Sequence, residues 1–483
     1  MKLKTIRLAT IPALLILAGC SLAPKYERPL APVPDRYPGE ASSTADTGAA
    51  AAADLGWQEF FRDEQLKALI AFALENNRDL RVAVGRVEEA RALFGIQQSE
   101  RLPTVGIGGT GAIQAQPENL RASNAPSVSR VYQSGVGITA FELDFFGRVR
   151  NLSEAAYQQY LASSQAQRTV HLTLVSQVAE SYFRLRATEL QRALVERTLQ
   201  SRQASYDLIK QRFDVGVAGA LDLNQAKSQL ESVKSDLQEI RRLEQLARNA
   251  LTLVLGGTPE NLPASAAFGR DQLTGSIPVG LPSDLLTRRP DIIGAENGLL
   301  AANANIGAAR AAFFPNISIT GLLGFASNAM GGLFSGANRF WSFTPQVTMP
   351  LFSGGVVGQL GLAEARKNIA IAQYEKTIQV AFREVADGLA GEATYAAQLD
   401  ALRALETSAA ESLKIAQLRY ENGIDSFLQV QAAEVTLYNA QRAFLQTGLS
   451  ALMNRVELYK ALGGGWNAQT QGADKPDSEK AES

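Results

Sequence analysis

The sequence predicts a chain of mixed α and transmembrane β class, assembled from two tandem copies of one half. Three observations predict it: a long internal repeat, two proline-free runs of more than a hundred residues, and four short segments of alternating polarity. Such a combination suits neither a compact globule nor a simple rod.

The repeat is clearest in "RFDVGVAGALDL", which starts at Arg212, and "RYENGIDSFLQV", which starts at Arg419, an offset of 207 (419 − 212). At that offset Phe213 matches Tyr420, Gly216 matches Gly423 and Leu221 matches Leu428. The correspondence runs on to the glycine pairs Gly256-Gly257 and Gly463-Gly464. A weaker upstream block aligns Asp79 with Asp291 and Pro103 with Pro315 at an offset of 212. Between the blocks, "LDFFGRV" and "PLFSGGV" place Gly147 opposite Gly354. A repeat of this length marks a duplicated domain half rather than a short solenoid unit.

The helices follow from the prolines. None occurs from Ser127 to Thr258 or from Leu351 to Lys475. Proline inside a helix removes a hydrogen bond and clashes with the preceding turn, so these runs permit long helices. Their Ala, Gln, Leu, Arg, Glu and Lys favour them. A helix of ~65 residues, as from Gly147 to Phe213, rises ~100 Å. The apolar stripe is narrow and broken by Ala, Ser and Gln, as on helix-to-helix seams. Gly216 and Gly423 then read as tip turns, where each long helix reverses into another.

The strands follow from period-two alternation. In "NISITGLLGFAS", Ile317, Ile319, Leu323 and Phe325 share a face opposite Ser318 and Thr320. In "FWSFTPQVTM", Trp341, Phe343, Val347 and Met349 oppose Ser342, Thr344, Gln346 and Thr348. The first half offers the glycine-richer "PTVGIGGTGAIQA" and "SVSRVYQSGVGITAFEL". Strands of this length cross a bilayer at a tilt, with one face toward lipid and one toward a lumen. Four strands cannot close a barrel, and open edges are not tolerated in lipid, so membrane-spanning strands require an oligomer. Periodicity does not give the number of copies.

Composition narrows the function. The net charge of −1 gives no electrostatic footprint for nucleic acid. A single Cys excludes an intramolecular disulfide, and the single His, His171, reads as an ordinary helix residue rather than a catalytic or metal site. No phosphate-binding, nucleophilic or metal motif appears, so an enzyme is not expected. The start "MKLKTIRLATIPALLILAGCS" has basic residues, an apolar stretch from Leu8 to Ala18, and small residues before Cys20. This is signal-peptide architecture, too short to span a membrane. "LAGC" resembles the bacterial lipobox, which implies an N-acyl and diacylglycerol lipid on Cys20; the alternative is a plain secretory signal with an incidental Cys. Ser21 after it favours, by resemblance, sorting to the outer membrane.

Taken in order, the lipobox, "YERP", "LPTVGIGG" and "FFPNISITG", "LDFFGR" and "PLFSGG", and the twin tips resemble the outer-membrane factors of tripartite export systems. These are the TolC-like proteins, and the likeness is strongest to their lipidated OprM-like branch. The resemblance implies a homotrimer: four strands per chain form a twelve-stranded outer-membrane barrel continuous with a long periplasmic α-helical barrel. It divides the chain into a lipoprotein signal (1–19), an equatorial segment after Cys20 (20–62), a first repeat (63–257), an equatorial linker (258–281), a second repeat (282–464) and a partly disordered tail (465–483). The first repeat holds a strand pair near 103–143 and a tip near 214–222; the second holds a pair near 315–350 and a tip near 421–429. The implied partners are a periplasmic membrane-fusion adaptor, a proton-driven RND-type inner-membrane pump and outer-membrane lipid. No cofactor beyond the lipid is implied.

The same resemblance places a gate at the tip. It implies Asp222 on the first hairpin and Arg419, Tyr420, Leu428, Gln429 and Ala432 on the second, with Arg419 and Tyr420 donating to Asp222 and Leu428 forming an apolar plug. Gln429 and Ala432 stand where the family carries acidic residues, so an acidic ring is not expected there, although Asp425 supplies charge nearby. The function expected is a passive exit duct for drugs or other small toxic compounds. The alternatives are an exit duct for type I protein secretion or metal-ion export, and a structural lipoprotein spacer. Bilayer conductance separates the spacer from a duct.

Overall fold

The computed structural model describes residues 21–37, 55–121, 126–274 and 284–464. Cys20, the signal and the tail from 465 lie outside them. Seven helices longer than one turn and four strands carry the described chain: α1 (Glu64–Asn76), α2 (Arg78–Ser99), β1 (Val105–Ala115), β2 (Val128–Glu142), α3 (Arg148–Asp214), α4 (Ala220–Leu255), α5 (Pro290–Ala311), β3 (Asn316–Ser327), β4 (Arg339–Thr348), α6 (Gly354–Glu421) and α7 (Phe427–Ala461). The order helix, strand pair, long helix, shorter helix occurs twice. The proline-free runs hold α3 and α6, of 67 and 68 residues. His171 is a residue of α3. No helix among the described residues is long and apolar enough to cross a membrane.

The chain divides into two compact units. One holds the described residues up to Leu30 with Gly85–Ser164 and Gly294–Glu375; the other holds the described residues of Ala31–Val84, Gln165–Ile293 and Lys376–Ser483.

The first unit contains an antiparallel sheet in the order β1-β2-β3-β4, with β1 and β4 as open edges. Register joins the alternating residues of all four strands into one apolar face. Val105 pairs with Ile138 and Ile107 with Val136; Val136 meets Leu323 and Phe141 meets Ile319; Leu323 meets Trp341 and Ile317 meets Val347. The opposite face carries Thr110, Gln133, Ser318, Thr320, Ser342, Thr344 and Gln346, because successive side chains point to opposite sides. One bulge between Ile138 and Phe141 restores this register. There Ala140 takes a left-handed φ of 49° and its N–H donates to Thr320 Oγ1 at 3.1 Å. Without that extra residue Phe141 would fall on the polar face.

The same unit seats the start of the described chain. Arg28 donates two hydrogen bonds to Glu296, each of 2.7 Å, and Tyr26 donates a third at 2.9 Å. Asn303 Nδ2 donates to the Pro24 carbonyl and Ser21 Oγ to Asn151 Oδ1. Gly307 leaves room for this strap, since a Cβ there would sit 2.7 Å from the Ala23 nitrogen. The sequence reading treats 20–62 as one segment. The structure divides it: the strap belongs with the sheet, while Trp57, Phe60 and Phe61 belong to the other unit's core.

That core surrounds Leu66, Ile70, Val175, Val178, Tyr182, Phe183, Leu251 and Tyr459. Phe60 stacks on Tyr459 at 3.9 Å between ring centroids. Asp63 caps α1 by accepting the Gln65 N–H, and the buried Tyr182 hydroxyl donates to its second oxygen at 2.6 Å. A buried hydroxyl left without such a partner costs about 1–3 kcal/mol.

Candidate functional site at the hairpin tips

Each tip begins where a long helix ends in the same hydrogen-bonded turn. At the first, the Val217 N–H donates to the Arg212 carbonyl and the Gly216 N–H to the Phe213 carbonyl, at 2.8 and 2.9 Å. At the second, Ile424 donates to Arg419 and Gly423 to Tyr420, at 2.9 and 3.0 Å. These are Schellman caps, and Gly216 and Gly423 hold the left-handed position with φ of 80° and 70°. The sequence repeat is therefore a repeat of backbone geometry. Gly463 ends α7 and Gly256 ends α4 with the same positive φ, again 207 residues apart.

Side chains on this common frame diverge. Arg419 Nε donates to Asp425 Oδ2 at 2.6 Å, and its Nη2 to Oδ1 at 3.3 Å. That contact holds the Asp425 carboxyl below its ordinary range. The residue matching Asp425 in the first tip is Ala218, so Arg212 has no such carboxylate (425 − 207 = 218). The Arg212 guanidinium instead lies 4.9 Å from the Tyr420 ring centroid, tying the two tips together. Tyr420 also packs on Phe427 at 5.4 Å. Phe427 and Val430 are buried with Ile209 and Ala226, so α7 enters the core of its neighbours at its first turn.

This differs from the expected latch. Within one chain Arg419 pairs with Asp425 and not with Asp222, because the cap folds the five-residue loop (422–426) back over the arginine. Tyr420 makes ring contacts and no hydrogen bond to Asp222. Asp222 lies in the first turn of α4, whose N-cap Gly219 provides no side-chain cap. A carboxylate there complements the helix dipole. Leu428 stays 54% exposed next to the buried Phe427, and Gln429 and Ala432 are exposed beside it. The three thus share a free surface of α7.

Sequence reasoning missed one pair above the tips. Arg202 of α3 and Glu434 of α7 form an ion pair with side chains only 5% and 6% exposed. Burial pushes the Glu434 carboxyl upward, against the opposing pull of Arg202 and of Ser205. The partners lie 232 residues apart, beyond any local spacing rule. The signal present in the sequence was the lack of a repeat at both positions, since the matching residues are Ala409 and Lys227.

A sheet with one continuous apolar face and long helices with capped tips are the elements of an outer-membrane channel protein. The chain belongs to the outer membrane efflux protein family, whose profile matches residues 69–257 and 281–464. It is 44% identical over 463 residues to the antibiotic efflux pump outer membrane protein ArpC of Pseudomonas putida, covering 95% of this chain and 96% of that one. It is likewise 44% identical over 463 residues to the outer membrane protein OprJ of Pseudomonas aeruginosa, with the same coverage. Among solved structures, the open-state MtrE outer membrane channel of Neisseria gonorrhoeae superposes with a TM-score of 0.82 at 38% identity, covering 92% of this chain and 98% of that one. A membrane protein from Pseudomonas aeruginosa gives 0.86 at 43% identity, again covering 92% and 98%. The protein is an outer-membrane exit duct of an efflux pump, with the mainly helical TolC-like fold and a large periplasmic helical part.

Proposed function

We propose that three copies close a twelve-stranded barrel and conduct drugs or other small toxic compounds, passively, from a periplasmic adaptor and an RND-type inner-membrane pump to the exterior. The observation that carries this reading is the apolar face of the sheet, bounded by the unpaired edges of β1 and β4. An open sheet edge in lipid leaves backbone groups without partners, and only closure with further copies removes it. On this reading the element order that occurs twice is a tandem duplication, and the helices of the three copies line the periplasmic duct. A lipid on Cys20 adds a second hold on the membrane. The mouth is gated at the tips, where Leu428 of each copy narrows the opening. The duct performs no catalysis; the energy comes from its partners.

The cargo class is supported by relatives at 43–44% identity whose names specify antibiotic, toluene and solvent efflux. The test is accumulation of fluorescent dyes and antibiotics in cells lacking this protein and the host's other exit ducts, with and without a restored copy. Restoration lowers accumulation if the reading is right. Unchanged accumulation rejects small-compound export and leaves secreted protein or metal ions as cargo.

A further inference from the structure

The four strands hold three charged residues: Arg130 in β2, Arg339 in β4 and Glu142 at the end of β2. Glu142 lies where the sheet runs into the helices and pairs with Arg148 at 2.6 Å. Both arginines lie at the other end, exposed, and no hydrogen bond or ion pair among the described residues engages either side chain. Register sets them on the apolar face, Arg130 opposite Ile113 and Arg339 opposite Phe325. Arg130 stands eight residues from Ile138 and Arg339 eight from Val347 (138 − 130 and 347 − 339). That is about 26 Å along each strand at ~3.3 Å per residue. Tilted by about 40°, it gives roughly 20 Å of height, near the far edge of an apolar band.

Two positions nearer the helices, on the same face, each row carries an amphipathic ring, Tyr132 or Trp341. Both pairs keep one offset of 209 (339 − 130 and 341 − 132), so each half of the chain has one. Gly111 leaves room for the Tyr132 ring, whose edge lies 3.3 Å from where a Cβ would stand, and Trp341 is 74% exposed. A guanidinium at the rim of a hydrocarbon layer reaches to the headgroups, where it binds phosphate through two parallel N–H bonds. Tyr and Trp rings rest at that same level. Because the helices are periplasmic, this end of the sheet meets the outer leaflet. We propose that Arg130 and Arg339, each with its ring, bind the phosphates of the phosphorylated glycolipid of that leaflet. Its acyl chains lie on the apolar face and its sugar against the ring, a combination that a plain phospholipid does not match. The inference rests on the barrel reading above.

Lipid binding to the purified full-length protein in detergent, counted by native mass spectrometry, tests it. The probes are bisphosphorylated lipid A, dephosphorylated lipid A and phosphatidylglycerol, and trimer formation and bilayer conductance are measured on the same samples. Wild type is expected to retain bisphosphorylated lipid A in preference to both others, a result that needs no variant. Arg130→Gln with Arg339→Gln should weaken that binding about tenfold. Lys227→Gln with Lys234→Gln, which removes two charges from exposed positions of α4, should leave it unchanged. Equal retention of the three probes, or an equal loss in the two double variants, overturns the inference, while a conducting trimer keeps the barrel reading. Wild-type protein that neither forms trimers nor conducts overturns both.

Discussion

The two hairpin tips share a backbone and differ in what they grip. Arg212 and Arg419 occupy the same position of the same Schellman cap, yet one lies on an aromatic ring and the other on a carboxylate. The difference at the seventh residue of each stretch, Ala218 against Asp425, removes the carboxylate from the first tip. A second difference, Ala220 against Phe427, gives α7 a buried aromatic anchor that α4 lacks. The turn is common to both tips, and a few side chains set them apart. The first tip is a support, and the second is held against it by contacts of graded strength.

The comparison can be broken most forcefully at the anchor. Phe427→Ala removes a buried ring and is expected to cost about 3 kcal/mol. Phe213→Ala, at a position 38% exposed, is expected to cost less than about 1 kcal/mol. Thermal unfolding and the rate of proteolysis at each tip measure both; equal losses would show that the second tip is no better anchored. The glycines give the opposite test, because there the copies must agree. Gly216→Ala and Gly423→Ala meet no neighbouring atom within 4 Å, so their whole cost is the left-handed backbone, about 1–2 kcal/mol each. A clear inequality between them would mean that one cap is not as described.

Smaller effects sharpen the picture. A double-mutant cycle of Arg212→Met with Tyr420→Leu should give a coupling of about 0.5–1 kcal/mol from the cation–π contact. No coupling would separate the tips. The weakest contact is Arg419 with Asp425, and it should report pH. Since the folded-state Asp425 carboxyl is held below its ordinary value, its stabilisation is present above the ordinary carboxylate range and is lost as pH falls through the depressed value. Tip proteolysis should therefore rise on strong acidification, and Asp425→Asn should abolish that acid-dependent part. An acid response unchanged in Asp425→Asn assigns it to another group.

Much of the fold was legible because it rests on local rules. Absence of proline over more than a hundred residues marks α3 and α6, and period-two alternation marks β3 and β4. Glycine at the tip marks a left-handed cap. What was not legible depends on distant partners or on single irregularities. The bulge at Ala140 has no glycine to announce it. The strap's place on Glu296 joins residues 268 apart. The sequence reading set Arg419 toward Asp222 and gave Asp425 only as nearby charge; within the chain the cap brings Asp425 beside Arg419. The Arg202–Glu434 pair lay hidden because its partners stand 232 residues apart.

The central claim is that conduction is controlled at the second tip and only supported at the first. Single-channel conductance of wild type, Arg419→Ala with Tyr420→Leu, which removes the Asp425 ion pair and the ring contact to Arg212, and Phe213→Ala, in one bilayer composition and salt, tests it most directly. The account predicts a raised conductance for the second-tip variant and a wild-type value for Phe213→Ala. Equal responses from the two tips, or no response from the second, would contradict it.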